Sequence, residues 1–99
     1  MRLELKKIGH SLMSRQAGKE ALLALRPTLA ELKPDEGIEI DFEGITTFSP
    51  SWGDEFLTPL AEEFGARLHI HPTNNLSVRD TLELLQKMHG DIFVIQEKG

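Results

Sequence analysis

The chain alternates between short stretches of period two and longer stretches of helical period, and this alternation fixes most of what can be expected of its fold. From Arg2 to Ile8, Leu3 and Leu5 fall on one side and Glu4 and Lys6 on the other, which predicts a half-buried strand at or near a sheet edge. Gly9, His10 and Ser11 form a turn, and Ser14 is placed to cap a helix starting at Arg15. Leu22, Leu25, Leu29 and Leu32 recur at helical spacing as that helix's buried stripe, and Pro27 predicts a kink or a restart within it. Lys33-Pro34-Asp35-Glu36-Gly37 is a loop by its breaker residues.

Ile38 to Phe42 is the clearest strand, and Ile45 to Phe48 is expected to stay extended beyond Gly44. Ser49 fits an N-cap with Pro50 at the first helical position, where a missing N–H costs nothing. Trp52, Phe56, Leu60 and Phe64 then form a row on the following helix, Pro59 predicts a bend, and Gly65 predicts the stop. Arg67 to His71 alternates again. Ser77 and Asp80 suggest a capping box for a helix lined by Leu82, Leu85 and Met88 (Leu84 beside them) and ended by Gly90. Ile92 to Ile95 is continuously apolar, as a strand covered on both faces would be. The order β-α-β-α-β-α-β predicts an α/β domain with a mostly parallel sheet and right-handed crossovers, its first strand the one that could run antiparallel at an edge.

With 99 residues the chain has room for a single core, so residues 1–99 are expected to form one domain. A net charge of −5 argues against nucleic acid, since phosphate contacts need clustered Lys and Arg. The absence of cysteine removes disulfides, thiolate metal sites and Cys nucleophiles. No apolar run approaches the roughly 20 residues that span a bilayer, and the N-terminus alternates instead of forming a signal-peptide core. A cytoplasmic protein is the simplest expectation.

The best-placed polar cluster is Asp41, Ser49, Ser51, Asp54 and Glu55, because sites in open α/β sheets gather where strands end and helices begin. The free N–H groups at the helix start near Pro50 would suit an anion. The local alternative is that Ser49 caps, that Asp54 and Glu55 complement the helix dipole, and that Asp41 points to water. Trp52 could anchor a partner if exposed, although its place on the Phe56 stripe favours the core. His69 and His71 share a strand face at a spacing that suits two metal ligands, but no third ligand is fixed and a solvated face explains them better. Neither a nucleophile elbow nor a glycine-rich phosphate loop is present, so no catalytic residue, cofactor or metal site is expected.

Three segments, taken in order and spacing, resemble one family. They are Ser14-Arg15-Gln16-Ala17-Gly18, Ile40-Asp41-Phe42-Glu43-Gly44-Ile45, and Phe48-Ser49-Pro50-Ser51-Trp52-Gly53-Asp54-Glu55-Phe56. The chain resembles the bacterial STAS-like domain family of unknown function numbered 4325, from about Ser14 to Ile95. That family has a Ser/Thr-Arg-x-x-Gly helix start, an Asp-Phe-x-Gly-Val strand end, a Ser-rich turn and a Phe-Ala-Asp-Glu helix start. Asn74 and Asn75 also fall where such chains carry Asn before the last helix.

The resemblance implies a STAS-like fold, with about four mostly parallel or mixed strands and three to four flanking helices. It implies a non-catalytic regulatory module of bacterial signalling that docks a protein partner, of the histidine-kinase-like ATPase or anti-sigma type. In true anti-sigma antagonists a Ser of an Asp-Ser-Ser-Gly turn is phosphorylated. Here Ser49 stands near the motif's Asp and Pro50 near its usual acceptor, so only Ser51 keeps its type as a phosphorylation candidate. The family's Asp-Glu pair maps onto Asp54 and Glu55, whose purely structural role would be charge pairing with Arg15. The competing function is a small-molecule or nucleotide sensor with an anion at the helix start near Pro50.

Overall fold

The computed structural model describes residues 1–95 and shows a mixed α/β chain of three α-helices over small parallel sheets. Strands β1 (Arg2–Glu4), β3 (Ile38–Asp41), β5 (Leu68–Ile70) and β6 (Val94–Ile95) form a four-stranded sheet in that order. Two further short strands, β2 (Ser11–Leu12) and β4 (Thr47–Phe48), pair with each other. Every pairing is parallel, including that of the edge strand β1 with β3. Helices α1 (Arg15–Leu29), α2 (Pro50–Phe64) and α3 (Leu76–His89) are the crossovers.

The strand order advances always in one direction, so crossovers of one hand place all three helices on one face of the sheet. Burial follows that rule. Ile38, Ile40, Leu68 and Ile70 are fully buried against the helices, whereas Glu39 between them is exposed and His69 half-buried. Leu12, Phe48, Trp52, Phe56, Leu57 and Leu85 extend the same core toward the helix starts.

Several expectations change in detail. The first strand stops at Glu4, and Leu5–Lys7 makes a 3-10 turn that still buries Leu5 completely. The chain then resumes as β2 beside β4, with the Thr46 N–H donating to the His10 carbonyl at 2.7 Å. Pro27 neither breaks α1 nor restarts it; it lies on the exposed side of the helix, where the Leu23 carbonyl that lacks its N–H partner faces water. α2 likewise runs unbroken through Pro59. Ser49 caps α2 as expected, its hydroxyl accepting from the Trp52 N–H at 3.2 Å, and Gly65 ends the helix at positive φ.

The Ser77–Asp80 capping box does not form. Asn75 caps α3 by accepting from the Val78 N–H, because Ser77 is taken up by the main chain of Phe48, whose N–H it accepts at 3.0 Å. Met88 and Leu84 are exposed instead of lining the core. The run expected as a strand covered on both faces is an edge strand of two residues, with Ile95 42% exposed.

Candidate functional site

Strands β2 and β4 deliver the chain side by side into α1 and α2. Leu12 pairs with Phe48, and the Ser49 N–H donates to the Leu12 carbonyl at 2.8 Å. Ser14 and Ser49 therefore cap neighbouring helices at the same end of the molecule, and the Ser49 hydroxyl also donates to the Met13 carbonyl. The two helices then run close together because Gly18 has no side chain at their crossing. A Cβ there would stand 2.6 Å from the Trp52 carbonyl oxygen.

This approach brings Arg15 of α1 onto the first turns of α2. Its guanidinium donates to Glu55 at 2.7 Å and to Asp54 at 3.3 Å. From the end of α3, His89 meets the other oxygen of Asp54 at 2.9 Å. One carboxylate thus joins three helices. Partial burial pushes the Asp54 carboxyl up, but the His89 and Arg15 contacts outweigh it and hold the group below the ordinary carboxylate range. The same carboxylates raise the Arg15 guanidinium.

Ser51 is exposed one turn before this cluster. Three- and four-residue spacing puts Ser51, Asp54 and Glu55 on one face of α2. Trp52 is not part of that surface. It is 1% exposed, stacked on Phe56 with ring centroids 4.6 Å apart and edge-on to Phe48 at 5.9 Å, so the expectation that it could anchor a partner is overturned by its burial.

Asp41 is also set apart. Alternation along β3 turns it away from the helices and onto the bare side of the sheet. There it accepts from Arg2 at 2.6 Å and from the Glu43 N–H at 2.9 Å. The Glu43 N–H, and behind it Arg2, lower its carboxyl despite the opposing effect of burial. His69 and His71 lie on this side as well, His71 at 3.7 Å from Glu39. Among the described residues no group of three or more His, Asp or Glu side chains is close enough to hold a metal ion.

What the sequence did not reveal is the part played by His89 and Gly18 in framing the Ser51–Glu55 surface. Gly18 carried a signal only as the last residue of Ser14-Arg15-Gln16-Ala17-Gly18, and His89 carried none, being far away along the chain. No protein-family model matches this chain, and no curated protein or solved structure matches it. No helix among the described residues is long and apolar enough to cross a membrane.

Proposed function

We propose that this chain is a non-catalytic, STAS-like regulatory module of bacterial signalling that docks a protein partner, of histidine-kinase-like ATPase or anti-sigma type, through the exposed start of α2. The observation that carries the proposal is the placement of Ser51, Asp54 and Glu55 on one helical face, with Arg15 and His89 held against it from α1 and α3. A partner laid on that face touches three helices at once. Phosphorylation of Ser51 would add nearly two negative charges within a turn of Asp54 and Glu55, and would compete with them for Arg15. The one-sided α/β architecture supports the same reading, as does the convergence of Arg15 and Gly18 on the Trp52–Glu55 segment.

The cluster is poorly suited to catalysis. Asp54 is engaged by both His89 and Arg15, so it is not presented as a free general base. An anion at the start of α2 is the weaker alternative. Ser49 already accepts the Trp52 N–H through its hydroxyl and the Gly53 N–H through its carbonyl, and two carboxylates follow within a turn. A thermal-shift panel of nucleotides and phosphorylated metabolites separates the two functions, since an anion bound near Pro50 would raise Tm and pure docking would not.

The direct test is calorimetric titration of the chain with a purified histidine-kinase-like ATPase of the proposed partner type. Saturable binding that weakens about tenfold or more in Ser51→Glu is the expected result. Unchanged affinity in both Ser51→Glu and the Asp54→Ala, Glu55→Ala double variant would remove this surface.

A further inference from the structure

A parallel sheet is ordinarily covered on both faces, because helical crossovers lie over each. Here the crossovers all lie on one side, and among the described residues no helix covers the opposite face of β1, β3 and β5. Its side chains stand in two rows. Arg2, Glu39 and His69 are in register in the first, and Glu4 and Asp41 in the second, with His71 following on the same side of β5. Arg2 and Glu39 are exposed, and Glu4, His69 and His71 half-buried. The second row opens into a groove of about 440 Å3 between Arg2, Asp41 and Glu43 on one side and His71 to Asn74 on the other.

The chemistry of the face limits what can cover it. An apolar layer would bury the exposed Arg2 and Glu39 at the cost of their hydration. A second copy would bring the same surplus of carboxylates against itself, since Glu4, Glu39, Asp41 and Glu43 outnumber Arg2 and the Lys7 that pairs with Glu4 at 3.3 Å. Nucleic acid would meet the same repulsion. A basic polypeptide satisfies both the geometry and the charge.

We propose that the bare sheet face docks a basic segment of a protein partner, a Lys or Arg of that segment entering the groove beside Asp41 and Glu43. Asp41 is 7% exposed, with one oxygen held by Arg2 and the other by the Glu43 N–H, so the carboxylate left open to a second cation at the groove is that of the exposed Glu43. This face lies on the far side of the sheet from the start of α2. The chain therefore carries two separable surfaces, and this one stands whether or not the α2 surface binds a partner.

The test is a nuclear magnetic resonance titration of the isotope-labelled chain with a synthetic amphipathic peptide carrying lysines along one face. Saturable shifts confined to Arg2, Glu39, Asp41, Glu43, His69 and His71 are expected. Glu39→Lys with Glu43→Lys should weaken the interaction about tenfold or more. Glu31→Lys with Glu62→Lys, an equal charge change at exposed positions in the turn after α1 and on α2, should leave it within about twofold. Shifts spread over the whole acidic surface, equal loss in the two double variants, or no saturation would overturn the proposal. So would a concentration-dependent increase in mass without peptide, traced by shifts to this face, because it would make a second copy the occupant. If Glu39→Lys with Glu43→Lys fails to fold, the map on the unaltered chain still decides.

Discussion

Gly18 of α1 rests against the main chain of Trp52 in α2, so that a Cβ at Gly18 would stand 2.6 Å from the Trp52 carbonyl oxygen and 3.1 Å from its Cα. Main-chain atoms in the middle of a contact between two helices cannot turn aside as a side-chain tip can. Gly18→Ala is expected to push the helices apart and destabilise the chain by about 1–3 kcal/mol, despite the better helix propensity of Ala. Gly53→Ala offers a contrast, because its Cβ would meet the ring tip of Phe48 at 2.9 Å and a methyl of Leu85 at 3.0 Å. Those groups can shift by tenths of an ångström, so Gly53→Ala should cost less. Urea unfolding of the two variants, followed by the fluorescence of the single Trp, gives the comparison. Equal stability of Gly18→Ala and the unaltered chain would mean that the helices are not held at this distance.

Acid should weaken the fold through Asp54 and Asp41. The folded chain holds both carboxyls below their ordinary value of 3.8, so around and below that value the unfolded chain binds more protons. Stability is then fully present above about pH 5 and falls as pH drops through the folded-state values. Asp41→Asn keeps an oxygen for the Glu43 N–H but gives up the charge facing Arg2. It should flatten the loss of stability between roughly pH 5 and pH 2, and Arg15→Ala should do so in part by releasing Asp54 toward 3.8. Thermal midpoints measured across that range check both, and slopes unchanged from the original would contradict the assignment.

Much of this architecture was legible because short-range signals agreed with one another. Ser14 and Ser49 precede helical runs and do cap them, Ile38 and Ile40 alternate with Glu39, and Gly65 and Gly90 end helices at positive φ. Arg15 was a candidate partner for Asp54 and Glu55 only as the purely structural alternative to a functional role, and it contacts both. The failures are positions where a distant segment decided the outcome. Ser77 looks like a cap until Phe48, far away in sequence, claims its hydroxyl. Asp41 looks like a neighbour of Ser49 in the sequence, but the pleat sends it to the other side of the sheet. Trp52 was legible as core by its stripe and as anchor by its type, and only the packing of α1 and α3 around α2 resolved that in favour of the core.

Thr81 fastens α3 to β4 from inside the core. Its hydroxyl donates to the Phe48 carbonyl at 2.6 Å and the residue is 4% exposed. Thr81→Val preserves shape but removes the donor, leaving that carbonyl only the long 3.4 Å contact from Ser77. A loss of about 1–2 kcal/mol is expected by chemical denaturation, close to the cost of an unmet buried acceptor. Thr81→Ser, which keeps the hydroxyl, should recover most of it. If Val and Ser behave alike, the hydrogen bond contributes nothing and only volume matters.

Asn75 performs two tasks that no single simpler residue can share. Its side-chain oxygen accepts from the Val78 N–H at 3.1 Å and starts α3, while its amide nitrogen donates to the Ile45 carbonyl at 2.7 Å and ties that start to the loop before β4. Asn75→Ala loses both, and about 1.5–3 kcal/mol of stability is expected to go with them. Asn75→Ser retains a capping oxygen but cannot reach Ile45 with the same donor geometry, so it should fall between Ala and Asn. Asn75→Asp keeps the cap and gains from the helix dipole, yet sets a carboxylate against the Ile45 carbonyl, so it should be no better than Ser despite its strength as a cap elsewhere. Asp80→Ala, at the exposed position that the sequence alone would have paired with Ser77, should stay within about 0.5 kcal/mol. Urea midpoints for the four variants, with amide exchange at Val78 as the local reporter, test that order. An Asp variant more stable than the original chain would show that the bond to Ile45 carries no weight.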